Sequence, residues 1–149
     1  MKLVYQLSEE LKSNFERVSV TQALTLDDSR PLIGLTGSLG LFGSREWWDN
    51  IKQGVMPLLR ISGIVLRAYC AGQDPSEENN MVDLQLADGS VRAVGIYVND
   101  EIDIGLFKLG HKVEIVYALD ELKRQPAVDG GVNYSKIALE MAVSLIPII

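Results

Sequence analysis

The segment that decides the fold begins with LLRISGIVLRAYC at residues 58–70 and continues with MVDLQL, ADGS and VRAVGIYV over 81–98. It ends with HKVEIVY at 111–117 and YSKIALEMAVSL at 134–145. Apolar and polar residues alternate along most of these runs, which is typical of strands with one buried face. Polar or glycine-containing segments separate the runs. We therefore predict five strands between residues 58 and 145.

Three local features connect these predicted strands. Gly63 lies inside the first long run, where a bulge or bend lets one strand serve two sides of a barrel. The Asp88-Gly89 pair predicts a hairpin turn between the second and third strands. Gly110 follows a short apolar helical linker and leads into the fourth strand.

Together these features resemble the OB-fold, a small five-stranded barrel. The resemblance covers residues 58–145 and attaches no named family to the whole chain. It implies a mainly β protein with minor α content, in which residues 58–149 form an OB-like β-barrel. It also implies a ligand surface on the second and third strands and the loops beside them.

Residues 1–57 are expected to form an N-terminal extension that packs on the barrel within one compact domain. Ser8 can cap a helix, because apolar residues follow it at helical spacing. The next residues, VSVTQALTL, alternate and predict a strand. Ser44 can cap a short helix that stops at Gly54. The predicted elements are a helix at 8–18, a strand at 18–26, a glycine-rich connection at 34–43 and a helix at 45–53.

The glycine-rich connection reads GLTGSLGLFG, with glycine at every third position. A phosphate-binding loop would place Gly-Lys-Ser or Gly-Lys-Thr after its glycines. No lysine lies between Lys12 and Lys52. We therefore predict a tight, closely packed connection here and no nucleotide site.

The composition is ordinary for a globular chain of 149 residues, with 47% hydrophobic and 23% charged residues. No apolar run approaches the roughly 20 residues that a membrane helix needs, and the N-terminus lacks the long apolar stretch of a secretory signal. Cys70 is the single cysteine, which excludes an internal disulfide and is compatible with a reducing compartment. We therefore expect a cytoplasmic protein with no membrane association.

The net charge of −6 is concentrated in the predicted barrel. Residues 1–57 hold six basic and seven acidic residues, giving −1, whereas residues 58–149 hold eight basic and thirteen acidic residues, giving −5. Nucleic-acid binding depends on Lys and Arg side chains that contact phosphates and on stacking aromatic residues. The predicted ligand surface offers only Arg92 and Tyr97 for these roles. A nucleic-acid-binding OB-fold protein is therefore an alternative hypothesis, and nucleic acid is not the expected partner.

The sequence offers few residues for catalysis. His111 is the single histidine, and its position at a turn predicts a solvated side chain. Cys70 has no neighbour that would stabilise a thiolate, so a buried or inert thiol is expected. Two candidate ligands are too few for a structural zinc site, and we expect no metal and no cofactor. An enzyme that uses strand carboxylates remains a second alternative, with Asp83, Glu114 and Glu140 as the candidates.

We therefore predict a non-enzymatic binding or interaction module with a protein partner, such as one that regulates or neutralises a basic protein. Trp47 and Trp48 share a broad helical face, which either covers one end of the barrel or contacts a partner. The apolar tail LIPII at 145–149 either packs on the body or forms a homo-oligomer contact. The candidate binding residues are Trp47, Trp48, Asp74, Glu77, Glu78, Arg92 and Tyr97.

Overall fold

A computed structural model describes residues 1–72, 78–123 and 133–148 of the chain. These residues form six strands, three α-helices and one 3-10 helix, Glu101–Leu106. The strands are β1 (Lys2–Gln6), β2 (Leu58–Tyr69), β3 (Met81–Gln85), β4 (Val91–Gly95), β5 (Lys112–Glu121) and β6 (Tyr134–Val143). The helices are α1 (Leu7–Ser13), α2 (Phe15–Leu26) and α3 (Arg45–Lys52).

The strands form one sheet in the order β1-β6-β5-β2-β3-β4. The β1–β6, β2–β3 and β3–β4 pairs are antiparallel. The mainly β architecture with minor α content is therefore confirmed. Because β1 and β4 lie at opposite edges and do not pair, the sheet is not closed, and the predicted OB-like barrel is not confirmed.

All five predicted strands are present as β2 to β6, with somewhat different ends. The hairpin is also present, because β3 pairs with β4 and Leu86 donates a backbone hydrogen bond to Ser90 across the turn. Gly63 has a different role from the one predicted. The register of β2 shifts between Val65 and Arg67. A Cβ atom on Gly63 would lie 2.8 Å from the carbonyl oxygen of Gln85, so glycine lets β2 and β3 approach closely.

The prediction for residues 18–26 is wrong, because they belong to helix α2. The alternation of VSVTQALTL and its β-branched residues favoured a strand. The same residues also fit a helical spacing of four and three, as at Val18, Gln22 and Thr25. The structure follows the helical period. The predicted helix at 8–18 is divided, since Asn14 separates α1 from α2 with a non-helical backbone. Helix α3 begins and ends within one residue of its prediction.

The glycine-rich connection packs against helices α2 and α3. Its four glycines, Gly34, Gly37, Gly40 and Gly43, all have positive φ angles. A Cβ atom on Gly37 would lie 2.9 Å from Cγ2 of Thr25 in α2. One on Gly40 would lie 2.8 Å from the backbone nitrogen of Trp47 in α3. The connection is therefore closely packed, as predicted.

The chain divides into two compact units. Unit 1 comprises residues 1–9, 60–116 and 138–149, and unit 2 comprises 10–59 and 117–137. The core of unit 1 is supplied mainly by strand residues, including Val65, Val82, Leu84, Val113, Ile115, Met141 and Val143. The core of unit 2 includes Leu11, Leu35, Phe42, Trp47, Met56, Tyr117 and Ile137.

Candidate functional site

Trp47 is positioned by the start of helix α3. Ser44 caps this helix, and its hydroxyl oxygen accepts a hydrogen bond of 3.2 Å from the backbone nitrogen of Trp47. The Trp47 ring is fully buried and lies 5.0 Å from the ring of Phe42. Trp48 packs edge-on against Trp47 at 4.9 Å and is only half-buried. Trp47 is therefore a core residue of unit 2, and Trp48 keeps an accessible face.

The buried partner of Trp47 is Asp120. The indole Nε1 of Trp47 donates a hydrogen bond of 2.9 Å to Oδ2 of Asp120, which is 1% exposed. The second carboxylate oxygen, Oδ1, has no hydrogen-bond partner among the described residues. Burial raises the pKa of this carboxyl, and the hydrogen bond from Trp47 opposes that shift. The site is enclosed and structural, since it leaves no room for a ligand to reach the carboxylate.

The other predicted binding residues that the structure describes belong to a different unit from Trp48. Glu78, Arg92 and Tyr97 are exposed and belong to unit 1, whereas Trp48 belongs to unit 2. The ring of Tyr97 lies 5.5 Å from that of Tyr5. The remaining candidates, Asp74 and Glu77, lie outside the described residues.

The expectation of a solvated His111 is wrong, and so is burial of Cys70, whose inertness stays a prediction. His111 is buried, and its Nδ1 lies 2.7 Å from the backbone carbonyl of Ser144. Because a carbonyl only accepts, Nδ1 carries the proton and donates. Cys70 is exposed as a free thiol. The sequence placed His111 at a turn, but it could not show that the chain around Ser144 covers the ring.

Asp83, the first of the candidate strand carboxylates, is already engaged. Its Oδ2 accepts a hydrogen bond of 2.8 Å from Nε of Arg67, and its Oδ1 accepts one of 3.1 Å from the Tyr69 hydroxyl. The hydrogen bond from Arg67 lowers the pKa of Asp83. The Arg67 guanidinium also lies 4.4 Å from the centre of the Tyr69 ring. This group is therefore an ordered surface cluster with its carboxylate charged.

A cleft of about 280 Å³ lies in unit 2, beside helix α2. Arg17, Thr21 and Leu24 recur along α2 at the helical spacing of four and three, so one stripe of the helix forms a wall. Ser135 and Gly34 also line the cleft. Its apolar lining comes from Val20, Leu24, Leu35, Phe42, Leu122 and Ile137.

Arg17 gives this apolar cleft a positive charge. The centre of its guanidinium lies 5.4 Å from the centre of the Phe42 ring, within the range of a cation–π contact. Among the described residues Arg17 makes no ion pair. Its charge is therefore available to a carboxylate that approaches the cleft.

The outer face of α2 is unusually apolar for a surface helix. Phe15 is 71% exposed, Val20 is 59% exposed and Leu26 is 66% exposed. Ser19 and Ala23 lie between them, and Glu16 is the one charged residue among these exposed positions. Val20 belongs both to this face and to the cleft wall. Sequence reasoning missed this site because it assigned Val20 and Leu26 to a strand and expected Phe15 on the buried stripe of the helix at 8–18.

Comparison with protein families matches residues 1–144 to the family described as immunity protein RhsI2. The match spans nearly the whole chain and is not confined to one unit. The chain belongs to the immunity protein RhsI2 family. Comparison with curated proteins finds no match.

The residues matched to the immunity protein RhsI2 family include all of α2, the cleft lining and the Trp47–Asp120 pair. The apolar tail from residue 145 lies outside the match. Leu145 and Ile146 in this tail are exposed.

Within residues 1–72, 78–123 and 133–148, no group of three or more His, Cys, Asp or Glu side chains could hold a metal ion. In the same part of the chain, no helix is both long enough and apolar enough to cross a membrane.

Proposed function

We propose that this protein binds a toxin protein and neutralises it by forming a complex. The observation that carries the proposal is the match of residues 1–144 to the immunity protein RhsI2 family. An immunity protein acts on a toxin, so the partner is a protein and the action needs no reaction catalysed by this chain. The family match supports the interaction module predicted from the sequence and lends no support to nucleic-acid binding.

One feature of the structure supports a binding role. Helix α2 exposes Phe15, Val20 and Leu26 beside a cleft. Exposed apolar patches of this kind are common at protein interaction sites.

The charge of the chain supports a basic toxin as the partner. The net charge is −6, and complementary charge speeds the encounter of two proteins. This proposal concerns long-range attraction and does not depend on which surface makes the final contact.

A protection assay tests the proposed function. Toxin domains from the genome that encodes the chain are produced one at a time in a test strain, with and without the chain. We expect one toxin to stop growth alone and to be tolerated when the chain is present. That toxin should also co-elute with the purified chain during size-exclusion chromatography.

The control is the same gene with an early stop codon, which separates protection by the protein from effects of its messenger RNA. If the folded chain neither protects against nor co-elutes with any of these toxins, the proposed function is wrong.

A further inference from the structure

We propose that the toxin docks on the outer face of α2 and inserts an apolar side chain, with a carboxylate beside it, into the cleft. This inference rests on the proposed function, because it takes the partner to be a toxin protein. The docking surface comprises the exposed Phe15, Val20 and Leu26 and the cleft residue Arg17. We call it the α2 surface.

The cleft has room for a large side chain. Its volume is about 280 Å³, near the lower end of the roughly 300–1,000 Å³ of small-molecule sites. Protein interfaces are commonly anchored by one large side chain that fills a pocket near their centre. An apolar anchor would contact Leu24, Phe42 and Ile137 there.

The exposed face of α2 extends the contact beyond the cleft. Phe15, Val20 and Leu26 each have more than half of their surface in water. Burying apolar area contributes about 25 cal/mol per Å², so covering such side chains favours association. Val20 lies at the junction, since it lines the cleft and is also exposed. A partner that fills the cleft therefore also contacts the exposed face at Val20.

Arg17 determines the charge of the anchor. Its guanidinium lies against Phe42 and forms no ion pair among the described residues. Pairs between arginine and carboxylate are strong because two N–H groups can donate to two oxygens. An aspartate or glutamate next to the inserted side chain would make such a pair. A lysine or arginine at that position would be repelled.

Helix α2 is held in place before any partner binds. The Nζ of Lys123 donates to the carbonyl oxygen of Leu24 at 2.7 Å and to that of Asp27 at 3.2 Å, where the helix ends. Gln22 donates from Nε2 to the carbonyl oxygen of Phe42 at 2.9 Å. A surface that is already ordered loses less conformational entropy on binding. These hydrogen bonds therefore reduce the ordering that α2 would need when a partner binds.

An acidic anchor is compatible with a toxin that is basic overall. Long-range attraction depends on total charge and acts over about 8–10 Å at moderate ionic strength. Arg17 acts only at contact, on the one group that approaches the cleft.

The test measures binding of single variants to the toxin that the unmodified chain neutralises. Val20→Asp places a charge in the contact, and Arg17→Glu reverses the charge at the cleft. We expect each to raise the Kd at least about tenfold, which corresponds to about 1.4 kcal/mol. The matched control is Ile102→Asp, because Ile102 is 78% exposed in unit 1 and should change the Kd less than about twofold.

Circular dichroism and urea unfolding show whether each variant is folded. If Val20→Asp unfolds, Val20→Lys provides the same test without a second acidic group near Glu16. A stronger result would come from charge exchange: changing the toxin's anchor carboxylate to arginine should restore binding to Arg17→Glu.

The possible outcomes distinguish failure of the proposed surface from failure of the proposed function. If the unmodified chain binds the toxin and folded Val20→Asp and Arg17→Glu bind equally well, the α2 surface is wrong and the proposed function stands. Equal losses in these variants and in Ile102→Asp would also overturn the surface. If the unmodified chain binds no toxin, the proposed function fails first. If the α2 surface instead joins two copies of this chain, Val20→Asp will dissociate a dimer in sedimentation experiments, which would overturn the proposal.

Discussion

Trp47 and Trp48 are adjacent in sequence and occupy different environments. Trp47 is fully buried and its indole donates to Asp120, whereas Trp48 is half-buried. A helix places neighbouring residues about 100° apart, so a broad apolar face can include both or divide them. The sequence therefore predicted two large apolar side chains on one helix. The distinction between them depends on Asp120, which is distant in sequence and could not be paired with Trp47 from its pattern.

Substitution of each tryptophan by phenylalanine tests this distinction. Trp47→Phe removes the indole donor from the buried Asp120 carboxylate, which should lower the free energy of unfolding by about 2–4 kcal/mol. Trp48→Phe keeps an aromatic ring at a half-buried position and should cost less than about 1 kcal/mol. Urea unfolding of the two variants measures both values. Equal losses of unfolding free energy in the two variants would show that the hydrogen bond to Asp120 contributes little to stability.

Asp120 also predicts a pH dependence. Burial raises its pKa in the folded protein above the usual 3.8, so the folded state disfavours the charged form. The free energy of unfolding that protonated Asp120 contributes is fully present below about pH 3.8, and it is lost as the pH rises through the raised pKa. Asp120→Asn cannot ionise at this position. The free energy of unfolding of Asp120→Asn, relative to that of the unmodified chain, should therefore increase between about pH 3 and pH 7.

Unfolding both proteins in urea across this pH range measures the difference, and other titrating groups largely cancel. A difference that stays constant or falls with rising pH would contradict the buried, partly unpaired state of the carboxylate.

At the scale of elements, the glycine-rich connection explains how α2 and α3 are held in unit 2. Its glycine at every third position was readable from the sequence as a tight connection. Its neighbours were not readable, because residues 18–26 were predicted as a strand. In the structure these glycines contact helix α2: Gly34, Gly37 and Gly43 lie against Leu24, Thr25 and Val18. The same error hid Val20 and Leu26 of the α2 surface, since a strand would have exposed a different set of side chains.

Alanine substitution of two glycines separates backbone conformation from close packing. Gly40 has a φ of 103° and Gly54 a φ of 75°, so alanine is strained at both positions. The Cβ of Gly54→Ala would meet no atom within 4 Å, whereas that of Gly40→Ala would lie 2.8 Å from the Trp47 nitrogen. We expect Gly54→Ala to cost about 1 kcal/mol and Gly40→Ala at least about 2 kcal/mol more. Thermal and urea unfolding provide the measurement, and similar costs would refute the close packing against α3.

At the scale of the whole molecule, the five strands of the 58–145 segment were predictable because their alternation and turns are local features. The open arrangement of the sheet was not predictable from the sequence. Residues 2–6 form β1, which pairs along β6, and the sequence showed only a short apolar patch there. Closure into a barrel depends on which strands meet across the sheet, and residue alternation alone does not specify this.

The charge of the whole molecule predicts a salt dependence of toxin binding. If the toxin is basic, its association rate constant should fall at least about tenfold between roughly 50 and 500 mM NaCl, because salt screens long-range attraction. Stopped-flow mixing measures this rate. A second test changes the charge of the protein. Neutralising the exposed pair Asp100 and Glu101 with Asn and Gln should slow association and have little effect on dissociation. A rate that is independent of salt would exclude steering by charge.

The pairing of β1 with β6 has a consequence for folding kinetics. It aligns Lys2 with Val143 and Gln6 with Glu140, near opposite ends of the sequence. Contacts between residues so far apart close a long loop and are costly in chain entropy until they form. We expect this edge of the sheet to be completed late, after the β3–β4 hairpin. Refolding should therefore be slower than in a protein whose neighbouring strands are all joined by short turns.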